Sequence, residues 1–238
     1  MKEFKNEFNR IINLLETKES FVFVRYGDGE VALMNGDTIS ENSQAYQVDK
    51  WKSVGMTKLG IDLTKSLNNR DWYFGIPCQC CNENCKKYLL NLLDLPKEQI
   101  TYANLWVNSN YKLFIDWIKK IDYEVVLIAN ENASLNLNNF PFKIKQFLQI
   151  QNNCVDYYEL NSEKLINDLL EIASKYKNTL FLISAGPLSE VIIHHMYNIN
   201  KINKYVDVGS SLDEYIHNKI TRPYMVIGSN YNTKNCTF

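Results

Sequence analysis

The sequence predicts an α/β fold, with a Rossmann-like, mostly parallel sheet and helices on both faces. Short apolar segments rich in β-branched and aromatic residues alternate with segments whose apolar residues recur at helical spacing. The segment "YEVVLIAN" (123–130) is almost continuously apolar, as is typical of a strand covered on both faces. No repeat and no linker rich in Pro, Gly or Ser interrupts the chain, so we expect residues 1–238 to form a single domain.

Each element follows from its local pattern. The first helix is amphipathic, because Phe4, Phe8 and Ile11 recur on one face, and Pro77 ends a short strand in "DWYFGIP". The predicted elements, in chain order, are helix 2–16, strand 20–25, helix 51–67, strand 71–77, helix 83–94, strand 100–107, helix 111–121, strand 123–130, a strand near 153–157, helix 161–176, strand 179–184, a helix from about 187 and strand 204–209.

Composition and charge exclude several classes of protein. The formal net charge is −1 and the isoelectric point about 6.3, whereas a nucleic-acid-binding protein usually carries a basic surplus. No apolar run approaches the ~20 residues of a membrane span, and the first residues do not resemble a signal peptide. We expect a cytoplasmic protein. Peripheral membrane contact through the amphipathic first helix and homo-oligomer formation both remain open.

Polar residues and glycines recur directly after the carboxyl ends of the predicted strands. Ligands of parallel α/β sheets bind at the carboxyl ends of the strands, where such residues meet. The segments that follow strands are "RYGDGE" (25–30), "CQCCNENC" (78–85), "NEN" (130–132), "SAGP" (184–187) and "GSSLD" (209–213). Their clustering predicts a binding site at this edge.

The first of these segments has the chemistry of a phosphate and metal site. Gly27 and Gly29 allow close approach of a ligand, and Arg25 can meet a phosphate with its planar guanidinium. Asp28 and Glu30 are two positions apart, which in an extended segment directs both carboxylates to one side, where they could bind Mg²⁺ or Mn²⁺. The alternative is a tight turn whose acidic residues cap the next helix while Arg25 forms a salt bridge.

The segment "ISAGPLSEVIIHHMY" (183–197) predicts a strand, a tight connection and a helix. Pro187 suits a first helical turn, and backbone N–H groups at Ser184, Ala185 and Gly186 could bind an anion with the help of the helix dipole. The segment contains neither a Walker sequence nor G-x-G-x-x-G, which disfavours ordinary ATPases and NAD enzymes. A plain strand-to-helix connection is the alternative.

The segment "YVDVGSSLDEYIHNKITRPY" (205–224) completes the candidate site. Asp207 ends a strand, Ser210 or Ser211 can cap a helix that holds Asp213, and Arg222 can clamp a ligand anion. An exposed arginine without a ligand is the alternative for Arg222.

Six cysteines occur, four of them in "CQCCNENC" as Cys78, Cys80, Cys81 and Cys85. Without a signal peptide, disulfides are disfavoured. The usual Cys₄ zinc site pairs two C-x₂-C units across a longer loop, and this cluster lacks the second unit. Reduced thiols in a pocket or in the core are therefore favoured over zinc and over a catalytic cysteine.

Taken together, "FVRYGDGE" with the following Gly36, "ISAGPLSEVIIHHMY" and "YVDVGSSLDEY" resemble the GT-D-fold glycosyltransferase family, formerly a domain of unknown function. The resemblance extends over roughly residues 20–225. It implies a Rossmann-like domain that transfers a sugar from a UDP-sugar to a growing glycan, with an Asp-x-Glu motif at the metal and nucleotide-sugar site.

Transferred to this sequence, the motif is Asp28-Gly29-Glu30, which would hold Mn²⁺ or Mg²⁺ against the donor diphosphate or bind the donor directly. The resemblance also favours the anion-site interpretation of residues 184–186. Glu30, Asp207 and Asp213 are the carboxylates from which a catalytic base could come. The donor-binding candidates are Arg25, Gly27, Gly29, Ser184, Ala185, Gly186, Asp207, Ser210 and Arg222, and the catalytic candidates are Asp28, Glu30 and Asp213.

A second function, from another class, stays open beside the enzyme. The chain could be a non-catalytic domain that binds a nucleotide or sugar phosphate, or an interaction domain stabilised by zinc. Zinc at the cysteines without UDP binding would favour that function, whereas intact Asp28 and Glu30 favour the transferase. The absence of a phosphate-loop lysine counts against phosphoryl transfer.

Overall fold

The structure is a computed structural model that describes residues 3–40, 42 and 51–238. Its centre is one sheet of seven parallel strands in the order β3-β2-β1-β7-β6-β4-β5. The strands are β1 (Phe21–Arg25), β2 (Tyr73–Ile76), β3 (Ile100–Tyr102), β4 (Val125–Asn130), β5 (Ile144–Ile150), β6 (Leu180–Ser184) and β7 (Lys204–Asp207). The predicted parallel α/β fold is confirmed.

Helices connect the strands and cover the sheet. Within the described residues the α-helices are α1 (Phe4–Thr17), α2 (Asp28–Asn35), α3 (Lys58–Ser66), α4 (Gln79–Leu92), α5 (Tyr111–Ile118), α6 (Cys154–Lys175), α7 (Ser189–Ile199) and α8 (Asp213–His217). The N-terminus of α3 is capped by a side chain: Thr57 Oγ1 accepts a hydrogen bond from the Gly60 N–H at 3.1 Å.

Two hydrophobic clusters lie on opposite faces of the sheet, so the prediction of helices on both faces is confirmed. Strand β1 shows the division, because Val22 and Val24 belong to one cluster and Phe21 and Phe23 to the other. This alternation follows from the two-residue period of a strand. Both faces of the central strands are therefore dry, which explains their nearly continuous apolar sequences.

The apolar face of α1 packs into the protein's own core. Phe4, Phe8, Ile11 and Leu15 are at most 4% exposed. Phe8 meets Trp106 edge to face, with ring centroids 5.8 Å apart. This helix face, which suggested membrane contact, is covered by the protein itself. No helix in the described ranges is long and apolar enough to cross a membrane.

Three element predictions are wrong in whole or in part, and one of them, the strand expected over 100–107, already ends at Tyr102. The strand expected near 153–157 is the start of α6, because Asn153 accepts the Asp156 N–H and begins a helix there; the edge strand is β5, at Ile144–Ile150. The helix expected over 51–67 begins only at Lys58, after the Thr57 cap. Strand β5 was missed because Lys145, Gln146 and Gln149 interrupt its apolar residues, and most of the strand is only partly buried.

The strand order places a switch point beside β1. From β1 the chain continues to β2 and β3 on one side of the sheet, and it then crosses to fill the other side, finishing with β7 next to β1. The connections above β1 and β7 therefore diverge and leave a crevice at the carboxyl ends of these strands. Ligands of open α/β sheets bind at such a point.

Candidate functional site

A cavity of about 1060 Å³ opens at the carboxyl edge of the sheet, above this switch point. The predicted site residues that line it are Arg25, Asp28, Gly29, Glu30, Ser184, Ala185, Gly186, Ser210, Asp213 and Arg222. Gly27 and Asp207 are not among the lining residues and support their neighbours from behind. The prediction that polar residues converge at one edge is confirmed, while their roles remain predictions.

Arg25 is fixed at the floor of the cavity by contacts on both sides. Its Nε donates to Asp207 Oδ2 at 2.7 Å, and its Nη1 donates to the carbonyl oxygen of Ala103 at 3.2 Å. The second oxygen of Asp207, Oδ1, accepts the Gly209 N–H at 2.9 Å, and Asp207 is only 1% exposed. Both carboxylate oxygens of Asp207 are therefore used to hold the arginine and the loop after β7.

Gly209 allows the guanidinium to lie where it does. The residue has φ +48°, and a β-carbon built on it would stand 1.6 Å from Arg25 Nη2. No side chain fits in that space without moving the arginine. In the sequence Gly209 is notable only as a glycine that follows a predicted strand, and the structure gives it this packing role.

The segment "RYGDGE" differs from the extended arrangement that would direct both carboxylates to one side. Asp28 and Glu30 lie in the first turn of α2, and Glu30 Oε2 accepts the Gly27 N–H at 2.6 Å. Two positions in a helix diverge by about 200°, so the extended-segment argument is wrong. The alternative interpretation, a helix cap with a salt bridge, holds in part, because Glu30 caps α2 and Arg25 pairs with Asp207. Arg25, Asp28 and Glu30 nevertheless all border the cavity.

Two carboxyls lie next to Arg25, the partly buried Glu30 and the fully buried Glu190. Burial raises the pKa of Glu30 to about 7, although the hydrogen bond from Gly27 and the charge of Arg25 oppose that shift. Glu190, in the first turn of α7, is fully buried, and its Oε1 accepts a hydrogen bond from the backbone N–H of Arg25 at 3.4 Å. Burial and the neighbouring charges of Asp207 and Glu30 raise the pKa of Glu190 well above its usual range.

Sequence reasoning missed Glu190. The residue follows "SAGPLS" directly, at the second position of a helix that begins at the site, which was the available signal. Its Oε2 is buried without a hydrogen-bond partner among the described residues, as expected of a carboxyl that is held neutral. Glu190 thus belongs to the charge balance around Arg25, although the lining of the cavity does not include it.

The connection after β6 forms a tight turn with part of its polar groups already satisfied. Ser184 Oγ donates to the Gly209 carbonyl oxygen at 2.7 Å, and the Ala185 N–H donates to Ser189 Oγ at 3.1 Å. Gly186 has φ +58°, and Pro187 follows at the start of a short 3₁₀ turn, before α7. The turn lines the cavity, but the Ala185 N–H would have to give up its hydrogen bond to Ser189 before it could bind an anion.

The wall opposite is built from α8 and the loop that follows. Asp213 Oδ2 accepts from Thr221 Oγ1 at 2.8 Å and from Arg222 Nε at 3.3 Å. Ser210 and Tyr224 join their hydroxyls at 2.9 Å on the same wall. The Asp213–Arg222 pair is largely shielded from solvent, with side-chain exposures of 11% and 15%. Arg222 is therefore held by an internal partner and also borders the cavity.

Several lining residues had no distinctive signal in the sequence. Trp51 is 4% exposed, and the closing segment of the chain, which we define as residues 218–238, contributes Lys219, Tyr224 and Lys234 to the cavity. These residues come from irregular structure, where neither helical nor strand spacing indicates an orientation. Asn104, after β3, was passed over for the same reason.

The side chains at the cavity fit a hard divalent cation through Asp28. Its carboxylate is exposed and borders the cavity, and Mg²⁺ or Mn²⁺ is commonly held by one or two carboxylates together with substrate phosphates. One oxygen of Glu30 is already engaged by the backbone of Gly27, so Glu30 fits a supporting role better than that of a tight ligand.

The fold agrees with that of solved structures. One is described as a "Selenomethionine substituted structure of domain of unknown function 1792" (TM-score 0.60, 16% identity, covering 96% of this chain and 86% of that one). Another is described as "The highly conserved domain of unknown function 1792 has a distinct glycosyltransferase fold" (0.56, 15%, 96% and 86%). A third is "A New Glycosyltransferase (DUF1792) from Streptococcus sanguinis" (0.59, 16%, 87% and 82%).

The chain therefore shares the fold of these structures of domain of unknown function 1792, and at that level the resemblance seen in the sequence is confirmed. No protein-family model matches the sequence, and no curated protein is detectably similar to it.

Proposed function

We propose that this protein is a glycosyltransferase that moves a sugar from a nucleotide sugar, a UDP-sugar in the first instance, to a hydroxyl of a glycan or glycoconjugate. The observation that carries the proposal is the cavity above β1 and β7, which brings Arg25, Asp28 and Arg222 around one space. Two of the solved structures that share the fold are described as glycosyltransferases or as having a glycosyltransferase fold.

The size and charge of the cavity suit such a donor. Its volume of about 1060 Å³ slightly exceeds the range of about 300–1,000 Å³ that accepts drug-sized ligands, and it leaves room for part of an acceptor. Arg25 and Arg222 supply planar guanidinium groups that match phosphate oxygens. The N-terminus of α2 starts at the cavity, where its dipole favours an anion.

Asp28 would hold Mn²⁺ or Mg²⁺, with Glu30 beside it as the residue that fixes the first turn of α2. A bound divalent ion would supply Lewis-acid stabilisation of the negative charge on the leaving diphosphate. We expect the ion to take further ligands from the donor itself, since Asp28 alone cannot complete its shell.

The chain's own residues account for the remaining chemistry. An acceptor hydroxyl attacks the anomeric carbon, the bond from that carbon to the phosphate oxygen breaks, and the diphosphate departs with additional negative charge. Arg25 is held rigidly by Asp207, so it can stabilise that charge without reorganising. Arg222, oriented by Asp213, does the same from the opposite wall.

Glu30 is the best-placed group to receive the proton of the acceptor hydroxyl in an inverting reaction. Its pKa of about 7 matches a base that works near neutral pH, and it borders the cavity. Asp207 is unsuited, because both of its oxygens hold the protein together. Asp213 is engaged by Thr221 and Arg222 and is better suited to orient the arginine.

The test is a turnover assay with a panel of UDP-sugars, measuring UDP release with and without Mn²⁺. We expect one donor to turn over in the presence of metal, and Asp28→Asn to lose nearly all activity while its thermal unfolding stays unchanged. Full activity of Asp28→Asn would remove that residue from the mechanism. Absence of UDP binding and turnover would instead favour a binding domain.

A further inference from the structure

Four cysteine thiols converge next to the cavity. The sulfur atoms of Cys78, Cys80, Cys81 and Cys236 all lie within 4.8 Å of one another. The Cys78–Cys80 distance is 3.2 Å and the Cys80–Cys81 distance is 4.0 Å, and all four thiols are free. A tetrahedral zinc ion with Zn–S bonds of about 2.3 Å requires sulfur atoms roughly 3.8 Å apart. The observed spacing is therefore close to that of a single ion with four thiolate ligands.

The membership of this cluster differs from the one that the sequence suggested. Cys85 belongs to the same short segment but lies apart, within α4 with its side chain in the core, whereas Cys236 comes from the closing segment. The zinc interpretation was disfavoured because the sequence offers no second C-x₂-C unit. The fold supplies the missing ligand from a residue 155 positions after Cys81.

The backbone around the first three cysteines forms a separate turn. Cys78 and Cys81 have C-x₂-C spacing, and the Cys81 N–H donates to the Cys78 carbonyl oxygen at 3.1 Å. Asn82, with φ −156° and ψ 89°, interrupts α4 directly after this turn. The break frees the turn from regular helical geometry, in which Cys80 and Cys81 would point about 100° apart.

Hydrogen-bond donors surround the sulfurs. Asn104 Nδ2 donates to Cys81 Sγ at 3.3 Å, Asn108 Nδ2 to Cys236 Sγ at 3.4 Å, and Lys234 Nζ to Cys81 Sγ at 3.3 Å. Donors that point at sulfur stabilise thiolates rather than thiols, and such outer partners are a regular part of metal sites. The positive charge of Lys234 also offsets part of the negative charge that four thiolates leave on a zinc site.

From this geometry we propose that Cys78, Cys80, Cys81 and Cys236 bind one zinc ion in a closed, tetrahedral structural site. Binding converts the thiols to thiolates and releases their protons to solvent, so that no oxidant or reductant is needed. Four protein ligands leave no open position for water or substrate, which distinguishes this site from a catalytic one.

The site would tie the closing segment to the start of α4. That segment supplies Thr221, Arg222 and Tyr224 to the wall of the cavity. A zinc ion at Cys236 therefore stabilises this wall from its far end. This inference does not depend on the proposed transferase, because it concerns metal content and the anchoring of the segment.

The test is the metal content of the protein expressed with zinc in the medium and purified without chelator. We expect about one zinc per chain by plasma mass spectrometry. Cobalt added to the reduced, metal-free protein should give the intense visible absorption of tetrahedral thiolate coordination. Removal of zinc by a chelator should make the closing segment more sensitive to trypsin at Lys219 and Lys234 than it is in the zinc-bound protein.

Matched variants separate the site from a general effect of removing a thiol. Cys236→Ser should lose most of the metal, and Cys85→Ser, which changes a thiol of the same segment outside the cluster, should keep it. Asn108→Ala should weaken zinc affinity by about 10–100-fold. The proposal is overturned if the wild type retains no more zinc than Cys236→Ser, if it holds iron instead, or if the metal-free protein carries a disulfide among these cysteines.

Discussion

Arg25 and Gly209 occupy adjoining space so closely that a β-carbon on Gly209 would lie 1.6 Å from Arg25 Nη2. Gly209→Ala should therefore displace the guanidinium from Asp207. We expect the variant to lose UDP affinity by about tenfold or more, which corresponds to about 1.4 kcal/mol. It should also lose stability on the order of 3 kcal/mol, because a largely buried ion pair is broken. Calorimetric titration and denaturant unfolding measure the two effects.

Gly228→Ala is the matched control for this substitution. Gly228 also has a positive φ, +82°, but a β-carbon there meets nothing within 4 Å. It should lose only the roughly 1–2 kcal/mol that left-handed backbone costs an alanine. Equal behaviour of the two variants in UDP binding would show that the position of Arg25 is unimportant.

Glu30 should make the stability of the protein depend on pH. Its pKa in the folded protein is about 7, above its ordinary value, so the stabilising contribution of its proton is complete below about pH 4.5 and is lost as the pH rises through 7. Glu30→Gln cannot titrate. As the pH rises from 5 to 8, the unfolding free energy of Glu30→Gln should therefore increase by about 2 kcal/mol relative to that of the wild type.

The comparison is made by urea unfolding of both proteins across this pH range. Glu98→Gln, at an exposed position remote from the cavity lining, is the control and should follow the wild type. A stability difference between Glu30→Gln and the wild type that stays constant from pH 5 to pH 8 would contradict the raised pKa of Glu30.

Arg222 should contribute to donor binding from the far wall of the cavity. Arg222→Ala removes a guanidinium that Asp213 orients, and hydrogen bonds to charged groups contribute about 1.5–3 kcal/mol. We therefore expect UDP affinity to fall by about tenfold or more. Arg222→Lys should restore only part of it, because lysine lacks the planar fork. Isothermal titration of the variants measures this.

Arg70→Ala provides the comparison for Arg222. Arg70 is exposed and precedes β2, at the opposite end of the strands from the cavity. An equal loss of affinity in Arg70→Ala and Arg222→Ala would indicate a general effect of net charge rather than a contact at the site.

The sequence was sufficient to predict the parallel sheet and the edge at which the site lies. Strong apolar strands such as Val125–Asn130 and Leu180–Ser184 carry that information locally, because both faces of each strand are buried. Polar residues after these strands then had to meet at one edge. Strand β5 escaped prediction because its solvent-facing residues weaken the apolar pattern.

The details of the site depended on contacts between distant parts of the chain. The pairing of Arg25 with Asp207, the burial of Glu190 and the approach of Cys236 to Cys81 all join residues that no local spacing connects. The orientation of Asp28 and Glu30 was mistaken for a different reason. Gly27 could end the strand or begin a helix, and the capping bond from Gly27 to Glu30 selects the helix.

The central claim is that Asp28 and Arg25 form a metal-assisted diphosphate site, and it is tested most directly by calorimetric titration with UDP in the presence and absence of Mn²⁺. Asp37→Asn is the control, since Asp37 is exposed just beyond the other end of α2. We predict UDP binding that Mn²⁺ strengthens, that Asp28→Asn weakens by about tenfold or more in Mn²⁺, and that Asp37→Asn leaves unchanged. UDP binding that neither Mn²⁺ nor Asp28→Asn alters, or no UDP binding in either condition, would contradict the claim.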